Sequence, residues 1–281
     1  MKSNLFLALA APCVLFLASC GSGTSGNNNK TTTDSVKPLA PVTLVSVSPS
    51  PDFPDAKLEI KSVKADKAGK DSAKVTFNFD IQNYELKLQT TDNGTKNCNN
   101  SDKGQHIHFI LDNGPYKALY EPSNEVTLPN DGKEHIMVAF LSRSYHESIK
   151  NGKAAVMYHF KIDEKGNLKK LENPKTPMIT YSRPKGDYIG KDTSNILLDF
   201  YLWNCDGKVN DGMWNVKADI SNEDKPTQKL TATIDDKFKP HFIQNLYTGK
   251  CKVTLTLVDK DGKPAEGPQT SASRSFVLKA Q

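Results

Sequence analysis

Past a polar N-terminal stretch, apolar and polar residues take turns along the chain. Val75-Thr76-Phe77-Asn78-Phe79-Asp80-Ile81 alternates with a period of two. Ile136-Met137-Val138-Ala139-Phe140 and Val253-Thr254-Leu255-Thr256-Leu257 read the same way, and Ile107 to Leu111 follows more loosely. That period marks β-strands with one face turned to a core. Between the runs stand turn signals: Asp92-Asn93-Gly94, Asp112-Asn113-Gly114-Pro115, Pro129-Asn130-Asp131-Gly132 and Asp259-Lys260-Asp261-Gly262. No stretch offers a helical face. Short strands at this spacing predict an all-β protein built from antiparallel immunoglobulin-like β-sandwiches.

A break falls where Asp163-Glu164-Lys165-Gly166-Asn167 gives way to lysines and prolines, ending at Pro177. Each side carries an early apolar strand (Phe77 to Ile81; Ile196 to Trp203) and a later one that follows a turn. The reading is two sandwiches, residues 42–165 and 175–281. From Gly21 to Pro41 the chain is rich in Gly, Ser, Thr and Asn and has little to bury, which predicts a disordered tether over residues 20–41.

The first residues change the picture. Lys2 precedes an apolar run from Leu5 to Leu17, and Leu17-Ala18-Ser19-Cys20 closes it with small residues before a cysteine. Such a run is too short to span a bilayer and reads as an export signal. The segment resembles the lipobox of bacterial lipoproteins. That resemblance implies cleavage after residue 19 and lipidation of Cys20 by diacylglycerol and a palmitate-type acyl chain. The mature protein is then expected in the cell envelope, anchored to the outer membrane and facing the periplasm.

The net charge of +5 is spread among acids, so solvated faces are expected rather than a nucleic-acid patch. Of five cysteines, Cys13 leaves with the signal and Cys20 is lipidated. Cys98 sits among asparagines, whereas Cys205 ends one apolar run and Cys251 begins another. A Cys205–Cys251 disulfide is one reading and separate thiols the other.

Candidate chemistry centres on Gln105-His106-Ile107-His108-Phe109-Ile110-Leu111. Strand parity sends Ile107, Phe109 and Leu111 inward and sets His106 and His108 about 7 Å apart on the other face. The same parity turns Ile136, Val138 and Phe140 inward, leaving His135 and Met137 outward. In an immunoglobulin-like order the two strands are third and sixth and pair in one sheet. His106, His108, His135 and Met137 then share a face. Imidazoles with a thioether suit copper, and imidazoles alone suit copper or zinc. The competing reading is metal-free histidines packed under a loop or against the second sandwich.

Ser142-Arg143-Ser144-Tyr145-His146-Glu147-Ser148 follows as a loop at the sandwich end, where Arg143, Tyr145 and His146 suit an anionic ligand. A catalytic triad within one short loop is a poor geometric prospect. Asp112 to Tyr116 reads as a tight turn, because it lacks the alternating carboxylates of a calcium loop.

The segments Gly104-Gln105-His106-Ile107-His108, Asp112-Asn113-Gly114-Pro115-Tyr116 and Ser142 to Ser148 resemble a group of Bacteroidetes-type envelope lipoproteins that has no assigned reaction. The likeness continues through Tyr181 to Gly186 and Leu198 to Leu202. It implies a two-sandwich lipoprotein and carries over no catalytic residues. The expected function is a membrane-anchored, non-catalytic binding or interaction module for a protein, glycan or anionic ligand. The alternative is a periplasmic copper- or zinc-binding protein.

Overall fold

The computed structural model describes residues 39–205, 214–236 and 239–280. The expected signal peptide, Cys20 and the tether up to Pro38 lie outside the described residues. The nine N-terminal strands are β1 (Thr43–Ser46), β2 (Lys57–Lys67), β3 (Ser72–Gln82), β4 (His106–Leu111), β5 (Lys117–Leu119), β6 (Ser123–Pro129), β7 (Glu134–Ser142), β8 (Ala155–Ile162) and β9 (Leu168–Lys170). Sheets β2-β3-β6 and β5-β4-β7-β8-β9 face each other as the first sandwich. Alternation builds β3: Ala73, Val75, Phe77 and Phe79 are buried, and the residues between them are less so. Phe77 meets Phe109 edge-on at 5.3 Å and Phe160 at 5.7 Å, which ties the two sheets together.

The expected third and sixth strands of this sandwich, β4 and β7, do pair antiparallel, with His106 opposite Ser142 and His108 opposite Phe140. The turn after β4 is the tight one the sequence signals. Asp112 and Asn113 both have φ near +51°, and the Gly114 N–H donates to the Leu111 carbonyl at 2.8 Å. Two left-handed residues in a row suit an Asp-Asn pair in a mirror-image hairpin turn.

The second sandwich comprises β10 (Met178–Arg183), β11 (Gly186–Ile189), β12 (Ile196–Trp203), β13 (Asn215–Asn222), β14 (Lys229–Ile234), β15 (His241–Gln244), β16 (Gly249–Val258) and β17 (Ser271–Lys279). Its sheets are β1-β15-β12-β10 and β11-β17-β16-β13-β14. All pairings in both sandwiches are antiparallel except β11 with β17. One element departs from the expected boundaries. β1 lies in the first half of the chain but pairs with β15, and Val42 enters the second core. No α-helix occurs among the described residues.

Residues from Leu39 onward form one compact unit, because the sandwiches stack sheet on sheet. Ile110, Val138 and Phe140 of the first pack against Tyr201 of the second, with Trp203 beside them. This stacking corrects the parity drawn for β7. Met137, Ala139 and Leu141 point into the first core, and Ile136, Val138 and Phe140 face the second sandwich. Apolar residues fill both sides of a sheet covered on both faces, so alternation no longer says which side is inner.

Candidate metal centre

β4 delivers two imidazoles to the junction. Ile107 and Phe109 anchor it in the first core, so His106 and His108 emerge on the opposite face, both fully buried. A third arrives from the loop after β7. There the Arg143 N–H donates to the Glu147 carbonyl at 2.8 Å and the His146 N–H to the Arg143 carbonyl at 2.9 Å. His146 closes this turn at φ 70°, a left-handed conformation uncommon outside glycine that histidine, like asparagine and aspartate, adopts more often than other side chains. Its side chain is turned inward over β4.

The ring nitrogens converge. His106 Nε2 lies 2.9 Å from His108 Nε2 and 3.1 Å from His146 Nδ1. His106 Nδ1 is 2.8 Å from the Gly104 carbonyl, which can only accept, so Nδ1 carries the proton. In the neutral ring Nε2 is then a bare lone pair, and two other ring nitrogens press against it. One of them, His108, can donate while its Nδ1 accepts from Ser182 Oγ at 3.0 Å. A single in-plane lone pair does not serve a second donor well, so His146 Nδ1 is left facing it.

A proton does not relieve the crowding. Burial pushes His106 down to about 4, against the Gly104 carbonyl and with added repulsion from Arg183. Burial also holds His108 and His146 well below the usual histidine range, and Arg183 and Lys185 repel a positive charge on either. Three neutral imidazoles with nitrogens within 4.8 Å of one another are the form that binds a metal ion.

The walls are aromatic and cationic. Tyr116 stacks on His108, with centroids 3.7 Å apart and planes 9° from parallel, and its hydroxyl is 3.3 Å from His146 Nδ1. Lys185 Nζ lies 4.3 Å and Arg183 Cζ 5.3 Å from the Tyr116 ring centre. Arg183 donates to the Tyr188 hydroxyl at 3.0 Å, and Lys185 to the Tyr116 carbonyl at 2.6 Å. Among the described residues, no carboxylate pairs with either cation. Ser182, Arg183 and Lys185 come from the second sandwich, so both sandwiches build the site.

Two residues of the expected metal set are elsewhere. His135 and Met137 lie on the core side of β7, opposite His106 and His108, because the parity is reversed. Met137 is buried in the first core, and His135 Nδ1 is 2.7 Å from Asp112 Oδ2. The sequence missed His146 as a partner for His106. Its signal was present in the tight Ser142–Ser148 loop, but nothing local says that the loop folds under the sheet.

That loop is no open anion site either. Arg143 pairs with Glu147 at 2.8 Å, both nearly buried, and stacks over Phe53 at 5.6 Å. Tyr145 packs with Cys98, Leu197 and Phe242, so Arg143, Tyr145 and His146 point to three different places. Glu147 also accepts from Ser50 Oγ at 2.7 Å, and His146 faces His106, so no triad forms in the loop. Of the two readings of Cys205 and Cys251, the structure has no bridge between them, and Cys251 is a free thiol.

A separate polar cleft of about 740 Å³ opens between the two halves, lined by Asn93, Asn97, Asn99, Asp102, Asp192 and Asn195 among others.

No family model and no curated protein matches the chain. Among solved structures, the fibronectin(III)-like modules of Clostridium thermocellum CbhA align over 78% of this chain and 95% of theirs, at 9% identity and TM-score 0.27. The central fibronectin-III array of RIM-binding protein aligns over 79% and 69%, at 10% identity and TM-score 0.24. Dimeric latent PorU from Porphyromonas gingivalis aligns over 81% of this chain and 20% of its own, at 10% identity and TM-score 0.27.

Proposed function

We propose that the protein is a lipid-anchored, non-catalytic lipoprotein of the cell envelope that holds one copper or zinc ion on His106, His108 and His146. The observation that carries this reading is the convergence of two neutral imidazoles, His108 and His146, on the Nε2 lone pair of a third, His106, from 2.9 and 3.1 Å. Donors about 2.0–2.1 Å from a tetrahedral ion stand about 3.3 Å apart; two of the three spacings are within a few tenths of an ångström of that, and all three nitrogens lie within 4.8 Å of one another. The export signal over residues 1–19 and the polar segment behind Cys20 support a lipid anchor, for which the outer membrane facing the periplasm is the proposed place.

Elemental analysis of the mature, tag-free protein tests the metal reading. One ion per chain is expected, and replacing His106 and His108 together by alanine abolishes uptake. Equal uptake by the double variant overturns it. For the anchor, Cys20→Ser moves the protein from the membrane to the soluble fraction, and unchanged membrane association contradicts lipidation at Cys20.

The asparagine-rich cleft favours a second reading, a module that binds a polar partner such as a polysaccharide. Its test is glycan binding by the metal-free protein, lost in a variant with Asn97→Ala and Asn195→Ala and retained in His146→Asn.

A further inference from the structure

The three histidines leave one position of a tetrahedral ion open, and the surrounding charge makes that position selective. A divalent ion here lies beside buried Arg183 and half-buried Lys185. Asp199, opposite Arg183 in the β10–β12 pairing, is already paired with Lys150. An anionic fourth donor therefore offsets the local positive charge better than a neutral one.

Tyr116 is placed to supply it. Its hydroxyl lies 3.3 Å from His146 Nδ1, the spacing of two donors on one tetrahedral ion. As a plain hydrogen bond that distance is long. If the hydroxyl donates to His146 Nδ1, that nitrogen has no proton, and it meets the bare His106 Nε2 at 3.1 Å lone pair to lone pair. Only a cation between them makes the contact attractive. Stacking on His108 keeps the ring beside the cluster, and a small tilt out of the stack brings its oxygen to an ion.

Resting on the metal reading above, we infer that Tyr116 is the fourth ligand and binds as phenolate, giving a three-histidine, one-tyrosinate centre with Arg183 and Lys185 close to the phenolate ring. When the ion enters, the phenol O–H bond breaks, the oxygen electron pair bonds to the metal, and the proton leaves to the buffer. At about pH 8, above the ordinary histidine range and below that of tyrosine, the histidines are neutral and the phenol is protonated, so one proton is liberated per ion. Nothing in the sequence marked Tyr116 beyond its place after a tight turn.

Copper(II) is the probe. The mature wild-type chain, titrated with one equivalent, is expected to show a visible phenolate-to-copper charge-transfer band. Calorimetry in buffers of different ionisation enthalpy is expected to count one proton released. Tyr116→Phe should lose both the band and the proton while still taking up copper, and Tyr120→Phe should keep both. Copper bound by the wild type with neither band nor proton release overturns the tyrosinate ligand and leaves the histidine site standing. No copper bound at all overturns the histidine site, and the tyrosinate with it. Because band and proton count are read on the wild type, the test survives a Tyr116→Phe variant that fails to fold.

Discussion

His146 Nδ1 lies 3.1 Å from His106 Nε2, joining two residues 40 positions apart. The contact exists because the loop after β7 turns inward through a histidine held at φ 70°. Asparagine tolerates that conformation and a β-branched residue does not. His146→Asn is therefore expected to keep the metal-free protein within about 1 kcal/mol of wild type, whereas His146→Val costs roughly 1–3 kcal/mol more. Urea midpoints of both variants check this. Equal losses would mean that the turn is not strained at residue 146.

The histidines also set an acid sensitivity. Burial holds His106 near 4 in the folded chain, whereas an unfolded histidine titrates near its ordinary value of 6.5. Below pH 6.5 the unfolded chain takes up protons that the folded site refuses, so stability falls as pH drops and the loss levels off near pH 4. From His106 alone the loss is about 3 kcal/mol at most. His108 and His146 shift in the same direction and add to it. Urea unfolding of metal-free protein from pH 7 to 4 should show this slope, flattened in a variant with all three histidines replaced by phenylalanine or asparagine. A flat wild-type profile would contradict it.

The junction depends on packing as well. Phe140 is fully buried and stacks on Tyr201, with centroids 5.3 Å apart, and its ring lies 5.4 Å from His108. Phe140→Ala should cost about 3–5 kcal/mol through the cavity it leaves. Because the cavity opens beside His108, metal affinity should fall with stability. A variant that loses stability but binds metal normally would separate the packing from the site.

Near the site, Lys150 Nζ lies 2.6 Å from Asp199 Oδ1, to which Ser148 Oγ donates at 2.9 Å. Asp199 is fully buried. Lys150→Met strands that carboxylate and should cost about 3–5 kcal/mol, and adding Asp199→Leu should recover most of the loss. A double-mutant cycle by urea unfolding measures it. Additive losses would show that the two groups are not coupled.

The sandwiches were legible because period-two runs and glycine or asparagine turns are local signals. The pairing of β4 with β7 followed from strand order alone. Which face of β7 is inner was not legible, since Ile136 to Leu141 is apolar on both sides where the second sandwich covers it. That ambiguity moved His135 and Met137 to the wrong face. His106 and His108 were recovered because β4 carries histidines on one face only. His146 and Tyr116 escaped because each reaches the site through the path of a loop, which tertiary packing decides. β1 escaped for a like reason: its partner, β15, lies about 200 residues further along the chain.

The most direct test is equilibrium dialysis of zinc against wild type, His146→Asn and His135→Ala, with bound metal counted by elemental analysis. The account predicts one ion per chain for wild type and His135→Ala, and none for His146→Asn at matched free zinc. Full binding by His146→Asn, or loss of binding in His135→Ala, would contradict a centre built on His106, His108 and His146.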